Sequence, residues 1–103
     1  ITIPLLSIGG SGVISVWANI QPRECHEMVM DYLEGRRERA AAAAVKYLEL
    51  MNGLFMEVNP IPVKTALNLM GKDAGPFRLP LCEMTDAHTA RLRGLLEKAG
   101  LVK

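Results

Sequence analysis

The stretch GGSGVISVWAN, Gly9 to Asn19, decides how the chain is read. Its β-branched and aromatic run, Gly12-Val13-Ile14-Ser15-Val16-Trp17, follows glycines and precedes Asn19 and Pro22, the signature of a strand. A largely apolar run of this length fits a strand buried on both faces, as in a parallel sheet. A strand carries rows of backbone N–H and C=O groups, and burying them unpaired is costly. Nothing else in the 103 residues reads as a partner. The partner strands are therefore expected in sequence outside this chain.

Outward from that run, the chain reads as helices. Pro4 suits the first turn of a short helix through Leu5, Leu6 and Ile8, stopped by Gly9-Gly10. After Pro22, residues Cys25, Met28, Val29, Tyr32 and Leu33 recur at helical spacing. Glu24 and Glu27 favour that helix's positive end, and Gly35 is a good stop. The longest candidate is RRERAAAAAVKYLELMNGLFM, where alanines have high helix propensity and Ala41, Val45, Leu48, Met51 and Phe55 share a face. That face is expected to pack, because small alanines let a neighbouring element approach closely. A further helix begins at Pro62 with Val63, Ala66, Leu67 and Met70 on one stripe, ending at Gly71. The last runs from Asp86 to Ala99, with Leu92, Leu95, Leu96 and Ala99 inward and Gly100 beyond its end. Between these two, KDAGPFRLPL reads as a connector stiffened by Pro76 and Pro80.

Composition narrows the functional classes. Twelve basic and eleven acidic residues give a net charge of +1, which argues against a nucleic-acid partner or an anionic membrane surface. The densest basic cluster, Arg36-Arg37-Glu38-Arg39, reads as a solvated helix start. No apolar run approaches the ~20 residues of a membrane span. Cys25 and Cys82 stand far apart without a CxxC spacing, as expected of a reduced intracellular chain rather than a disulfide framework. Cys25 and His26 are sequence neighbours and point to different faces of a helix, so no metal site is expected there. His88, beside Asp86 in the first turn of the last helix, fits a helix-end role.

A strand flanked by helices is the grammar of an α/β protein, and an isolated strand is not stable in water. The expected fold class is therefore α/β: Gly12–Trp17 is the last strand of a parallel sheet or barrel, followed by its own helix and a helical appendage. The start at Ile1, without methionine or a signal-peptide pattern, fits a processed chain or a fragment.

Three blocks sharpen this reading: GGSGVISVWAN, then EVNPIPVK at Glu57–Lys64, then RLPL at Arg78–Leu81. In order and spacing they resemble the dihydrodipicolinate synthase family, and the likeness runs over nearly all of the chain as that family's C-terminal third. The resemblance implies a (β/α)8 barrel with an appended helical domain. Residues 1–35 would be the end of the barrel (helix 7, strand 8, helix 8) and residues 36–103 the C-terminal helical domain. It implies a lyase of lysine (diaminopimelate) biosynthesis that condenses pyruvate with aspartate semialdehyde through a lysine Schiff base, without a cofactor. A cytoplasmic homo-oligomer, tetramer or dimer, is implied as well.

Such chemistry needs a lysine that is partly neutral near pH 7 and a proton shuttle within hydrogen-bond reach. Lys46, Lys64, Lys72, Lys98 and Lys103 lie on helices, in a loop or at the terminus, and Tyr32 and Tyr47 read as amphipathic packing residues. No catalytic residue is assigned to this chain; the resemblance places both the lysine and the tyrosine upstream, so the piece alone is expected to be inactive. One position carries over from the family: Ile14 matches a residue lining the pyruvate pocket, with plain barrel packing as the other reading. The resemblance also implies that the segment around Asn59, stiffened by Pro60 and Pro62, packs near the mouth of the active site, where Asn59 either contacts ligands or caps the turn. Asn19, just past the strand, is at the correct end of a barrel or simply makes a turn. Two other readings stand beside this one: a related aldolase of the same barrel family, such as a sialic-acid lyase or keto-deoxy-sugar aldolase, and a non-catalytic helical interaction module. The spellings GVISVWAN and NPIPVK are closer to the synthases, and a helical module would leave Gly12–Trp17 without partners. Ile14 and Val16 would leave a barrel-facing apolar surface exposed in the isolated piece, favouring association.

Overall fold

The computed structural model describes residues 1–103. Five α-helices follow one another: α1 (Thr2–Ser7), α2 (Pro22–Leu33), α3 (Arg37–Gly53), α4 (Ile61–Leu69) and α5 (Asp86–Lys98), with a 3-10 turn at Trp17–Asn19 between the first two. The chain forms two compact units, Ile1–Leu48 and Glu49–Lys103, and the division falls within α3.

The helix ends follow from local chemistry. Pro22 occupies the first turn of α2, and Pro62 that of α4, which starts at Ile61, one residue before the expected Pro62. Thr85, extended, caps α5 by accepting the His88 N–H, so one orphan donor of the first turn is satisfied. At the end of α2, Gly35 has φ +86°, a conformation that glycine adopts without a Cβ penalty. Its N–H donates to the Tyr32 carbonyl, and the next N–H, from Arg36, donates to Asp31. This paired closure recurs at the ends of α1, α4 and α5, where Gly10, Lys72 and Leu101 donate back to Leu5, Leu67 and Leu96.

Two expectations from sequence are corrected. Gly12–Trp17 forms no strand: residues 10–15 carry no regular structure and Trp17 opens the 3-10 turn. Nor is the run buried on both faces, since Val13 is 39% and Ile14 106% exposed. The physical reason is the one the sequence raises: a ladder requires a second strand, and no other segment of the chain forms one. The second correction concerns α3. The face bearing Ala41, Val45 and Leu48 is exposed, with Val45 75% accessible, and Phe55, past the helix end at Gly53, is exposed as well. The helix instead buries Ala40 and Leu50. An alanine-rich helix offers apolar surface on several sides, and packing chooses among them.

In the first unit, α1 and the 3-10 turn pack on α2, burying Leu6, Trp17, Ile20, Cys25, Met28 and Val29. The buried Trp17 indole N–H donates to Gln21 Oε1 at 2.8 Å, and the Tyr47 ring lies against it. Asp31, also buried, accepts from Arg36 Nε at 2.6 Å and faces Arg39 Nε at 3.4 Å. Arg36 also meets Glu34, and these carboxylates, Asp31 foremost, push its guanidinium pKa up. In the second unit α4 packs on α5, and Leu54, Pro62, Leu92 and Leu96 are fully buried. Burying a leucine of this kind contributes about 1.5–3 kcal/mol relative to exposure.

Candidate functional site

The block Glu57–Lys64 links α3 to α4 as a hydrogen-bonded turn rather than a free loop. Phe55 and Met56 N–H groups donate to Asn52 and Gly53, and the Ile61 N–H donates to Val58. The Asn59–Pro60 peptide is cis, as is Leu79–Pro80 in the RLPL block. Asn59 is exposed, and its side-chain amide makes no hydrogen bond within the chain.

Glu57 ties this turn to α5. One of its oxygens, Oε1, accepts from Thr85 N–H at 3.2 Å, Thr85 Oγ1 at 3.2 Å and His88 Nδ1 at 2.7 Å. The His88 bond, followed by those from Thr85, holds the Glu57 carboxyl below its ordinary value. His88 thus has the helix-end role its position indicates, with Glu57 rather than Asp86 as its carboxylate.

The two downstream blocks also meet each other. Pro60 and Lys64 from the first, and Arg78 and Leu81 from the second, line a cleft of about 450 Å³ completed by Ala74–Phe77. Lys64 Nζ donates to the Pro76 carbonyl at 2.8 Å and lies 5.2 Å from the Phe77 ring centre, a cation–π distance. Asn68 pins the same connector, accepting from Ala74 N–H at 2.8 Å and donating to Gly75 O at 3.3 Å. Arg78 makes no ion pair, and no carboxylate lines the cleft.

The remaining candidates sort by location. Ile14 lies in the first unit, fully exposed on the irregular segment, and Asn59 in the second. Asn19 turns back to donate to the Val16 carbonyl at 3.0 Å. No lysine is buried: Lys46 covers the Tyr47 ring, Lys98 pairs with Glu49 at 2.6 Å, and Lys72 and Lys103 are exposed. Tyr32 is half-buried, as is Tyr47 against Trp17. Burial pushes the Cys25 thiol pKa up, opposed by a hydrogen bond with Ser15, while Cys82 and His26 are exposed. No three His, Cys, Asp or Glu side chains gather as a metal site, and no helix is long and apolar enough to cross a membrane. The Glu57 cluster and the pairing of Asp31 with two arginines escaped the sequence reading. Their partners lie far apart in the chain or beyond one helix, where spacing carries no signal.

Comparison with known proteins accounts for the three blocks together. Residues 1–99 match the dihydrodipicolinate synthetase family. The chain belongs to that family. A 4-hydroxy-tetrahydrodipicolinate synthase of Methanocaldococcus jannaschii is 52% identical over 102 residues, covering 99% of this chain and 35% of that protein. A crystal structure of dihydrodipicolinate synthase superposes with a TM-score of 0.95 at 52% identity, over 98% of this chain and 35% of the other. A monomeric dihydrodipicolinate synthase variant superposes at 0.94 with 42% identity, over 98% of this chain and 34% of that one. The chain therefore spans about a third of the length of the curated relatives it matches. Its fold is that of the last part of a (β/α)8 barrel with the helices that follow it, mostly α-helical, and its strand segment is unpaired here.

Proposed function

We propose that this chain is the C-terminal third of a 4-hydroxy-tetrahydrodipicolinate synthase, a lyase condensing pyruvate with aspartate semialdehyde in lysine biosynthesis. The observation that carries the reading is 52% identity to such a synthase across 99% of the chain. In this reading a lysine outside these residues attacks the pyruvate carbonyl carbon, and water leaves to give the imine. Loss of a methyl proton gives the enamine, whose carbon attacks the aldehyde while a tyrosine, also outside these residues, shuttles protons. The protein needs no cofactor for this, because the imine itself is the electron sink.

Residues 1–35 complete the barrel in this reading, and residues 36–103 are the appended helical domain. The exposed side chains of Val13 and Ile14 on an unpaired segment support a place for it between strands supplied by the rest of the barrel. Ile14 then lines the pyruvate pocket and Asn59 the mouth of the site. The full protein is a cytoplasmic homo-oligomer, a tetramer or dimer, with small-molecule substrates and neither nucleic acid nor membrane as partner.

The test is borohydride reduction of the polypeptide that carries this chain in the presence of pyruvate. The expected result is a stable adduct of one reduced pyruvate unit, mapped to a lysine outside residues 1–103. An adduct on any of the five lysines here, or none with the native protein, overturns the reading.

A further inference from the structure

We infer that Glu57 is a positioning residue: together with Thr85 and His88 it clasps the turn Val58–Pro60 to the start of α5 and so holds Asn59 in one place. This deepens the reading of Asn59 as a substrate contact and rests on it. The geometry is economical in donors and acceptors. A single carboxylate oxygen collects three donors, and charge-assisted bonds of this kind are stronger than neutral ones. Thr85 Oγ1 spends its one proton on Glu57 and its lone pair on the His88 N–H, so the cap of α5 and the clasp are one network.

The clasp joins positions 28 and 31 residues apart in sequence. The Glu57 side chain is only 18% exposed, although the turn around it is at the surface. Two residues on, Asn59 is exposed with its amide uncommitted. The Val58 carbonyl between them accepts from Ile61, passing the constraint into α4. An uncommitted amide on a turn fixed from both sides is preorganised to meet a ligand, and preorganisation lowers the cost of binding. His88 donates from Nδ1 whether the ring is neutral in that tautomer or charged. The clasp therefore does not depend on a histidine charge.

The test compares E57A, H88A and H88N in the full-length protein that carries this chain. Asparagine places its amide nitrogen near the position of Nδ1 and keeps the donor. Amide hydrogen exchange is followed at Ile61, whose N–H is held by Val58, and at Thr85, whose N–H is held by Glu57, alongside steady-state kinetics with pyruvate and aspartate semialdehyde. E57A and H88A are expected to speed exchange at these amides about tenfold, the scale of a lost charge-assisted hydrogen bond. They should raise KM about threefold or more while kcat stays within about twofold, the pattern of lost ground-state binding. H88N should stay near wild type in both. Unchanged exchange in E57A and H88A overturns the clasp, as does an H88N protein as perturbed as H88A. Faster exchange with an unchanged KM in an active enzyme overturns the link to Asn59. A wild-type protein without synthase activity instead removes the functional reading, and the exchange data still decide the clasp.

Discussion

Tyr47 lies tilted against Trp17, with ring centres 5.0 Å apart and planes at 39°. This arrangement lets the rings interact edge-on and offset rather than stacked. It pins the middle of α3 to the 3-10 turn, and the indole N–H underneath is committed to Gln21. Both partners of that bond are buried. Trp17→Phe keeps an aromatic ring but leaves the Gln21 acceptor without its donor, which costs about 1–3 kcal/mol. Urea unfolding followed by circular dichroism should show this loss. Adding Gln21→Met should recover part of it, because removing both polar partners is cheaper than stranding one. A W17F protein as stable as wild type would exclude the bond as a structural contributor.

Glycines 53 and 94 should respond in opposite directions to alanine. Nothing lies within 4 Å of a Cβ placed on Gly94, in the middle of α5, so Gly94→Ala should stabilise by about 0.5–1 kcal/mol. A Cβ on Gly53 meets Leu95 Cδ1. Leu95 is in the core, where displacing a packed side chain costs about 1–3 kcal/mol. Thermal unfolding of the two variants checks the pair, and the same sign for both would contradict the packing around Leu95.

The acid limb of stability should depend on Glu57. Its carboxyl is held below the ordinary 4.5 by His88 first and by Thr85 after it. A depressed folded pKa means that the stabilisation is fully present above the unfolded value. It is lost as pH falls through the folded one. Glu57→Gln should therefore lower the unfolding midpoint at neutral pH and flatten its decline in acid. Glu49, paired with Lys98, is also lowered, but both side chains are largely exposed. Salt screens such a pair, so Glu49→Gln should change the acid limb little at high ionic strength while Glu57→Gln still does.

The helices were legible because their signals are local. Prolines at 22 and 62, the chain reversals after Leu33 and Lys98, and the Leu92-Leu95-Leu96 stripe all act within one or two turns. The strand was legible as a composition but not as a structure, because pairing belongs to two segments and one is absent from these residues. The buried side of α3 was not legible either: with Ala40 to Ala44 in a row, the sequence offers several apolar faces, and only the neighbours select Ala40 and Leu50. At the candidate site, Asn59 and Lys64 stood out by their prolines and motif. Glu57 with His88, and Asn68 with the 74–75 backbone, are tertiary polar contacts that no spacing encodes.

Ile14 gives the last prediction. Its side chain is fully exposed, as are most of Ile1 and Ile8, with Leu5 and Val13 about half accessible. Burying one such side chain against another surface gains about 1.5–3 kcal/mol, and the backbone of residues 11–14 has no ladder to keep it from pairing with another chain. The 103-residue polypeptide on its own should therefore self-associate, with a sedimentation coefficient that rises with concentration. Ile14→Lys places a charge in the middle of the exposed run and should move the population toward monomer. If I14K associates as strongly as the parent chain, the contact lies elsewhere, and the exposed α3 face of Val45 and Leu48 becomes the next surface to charge.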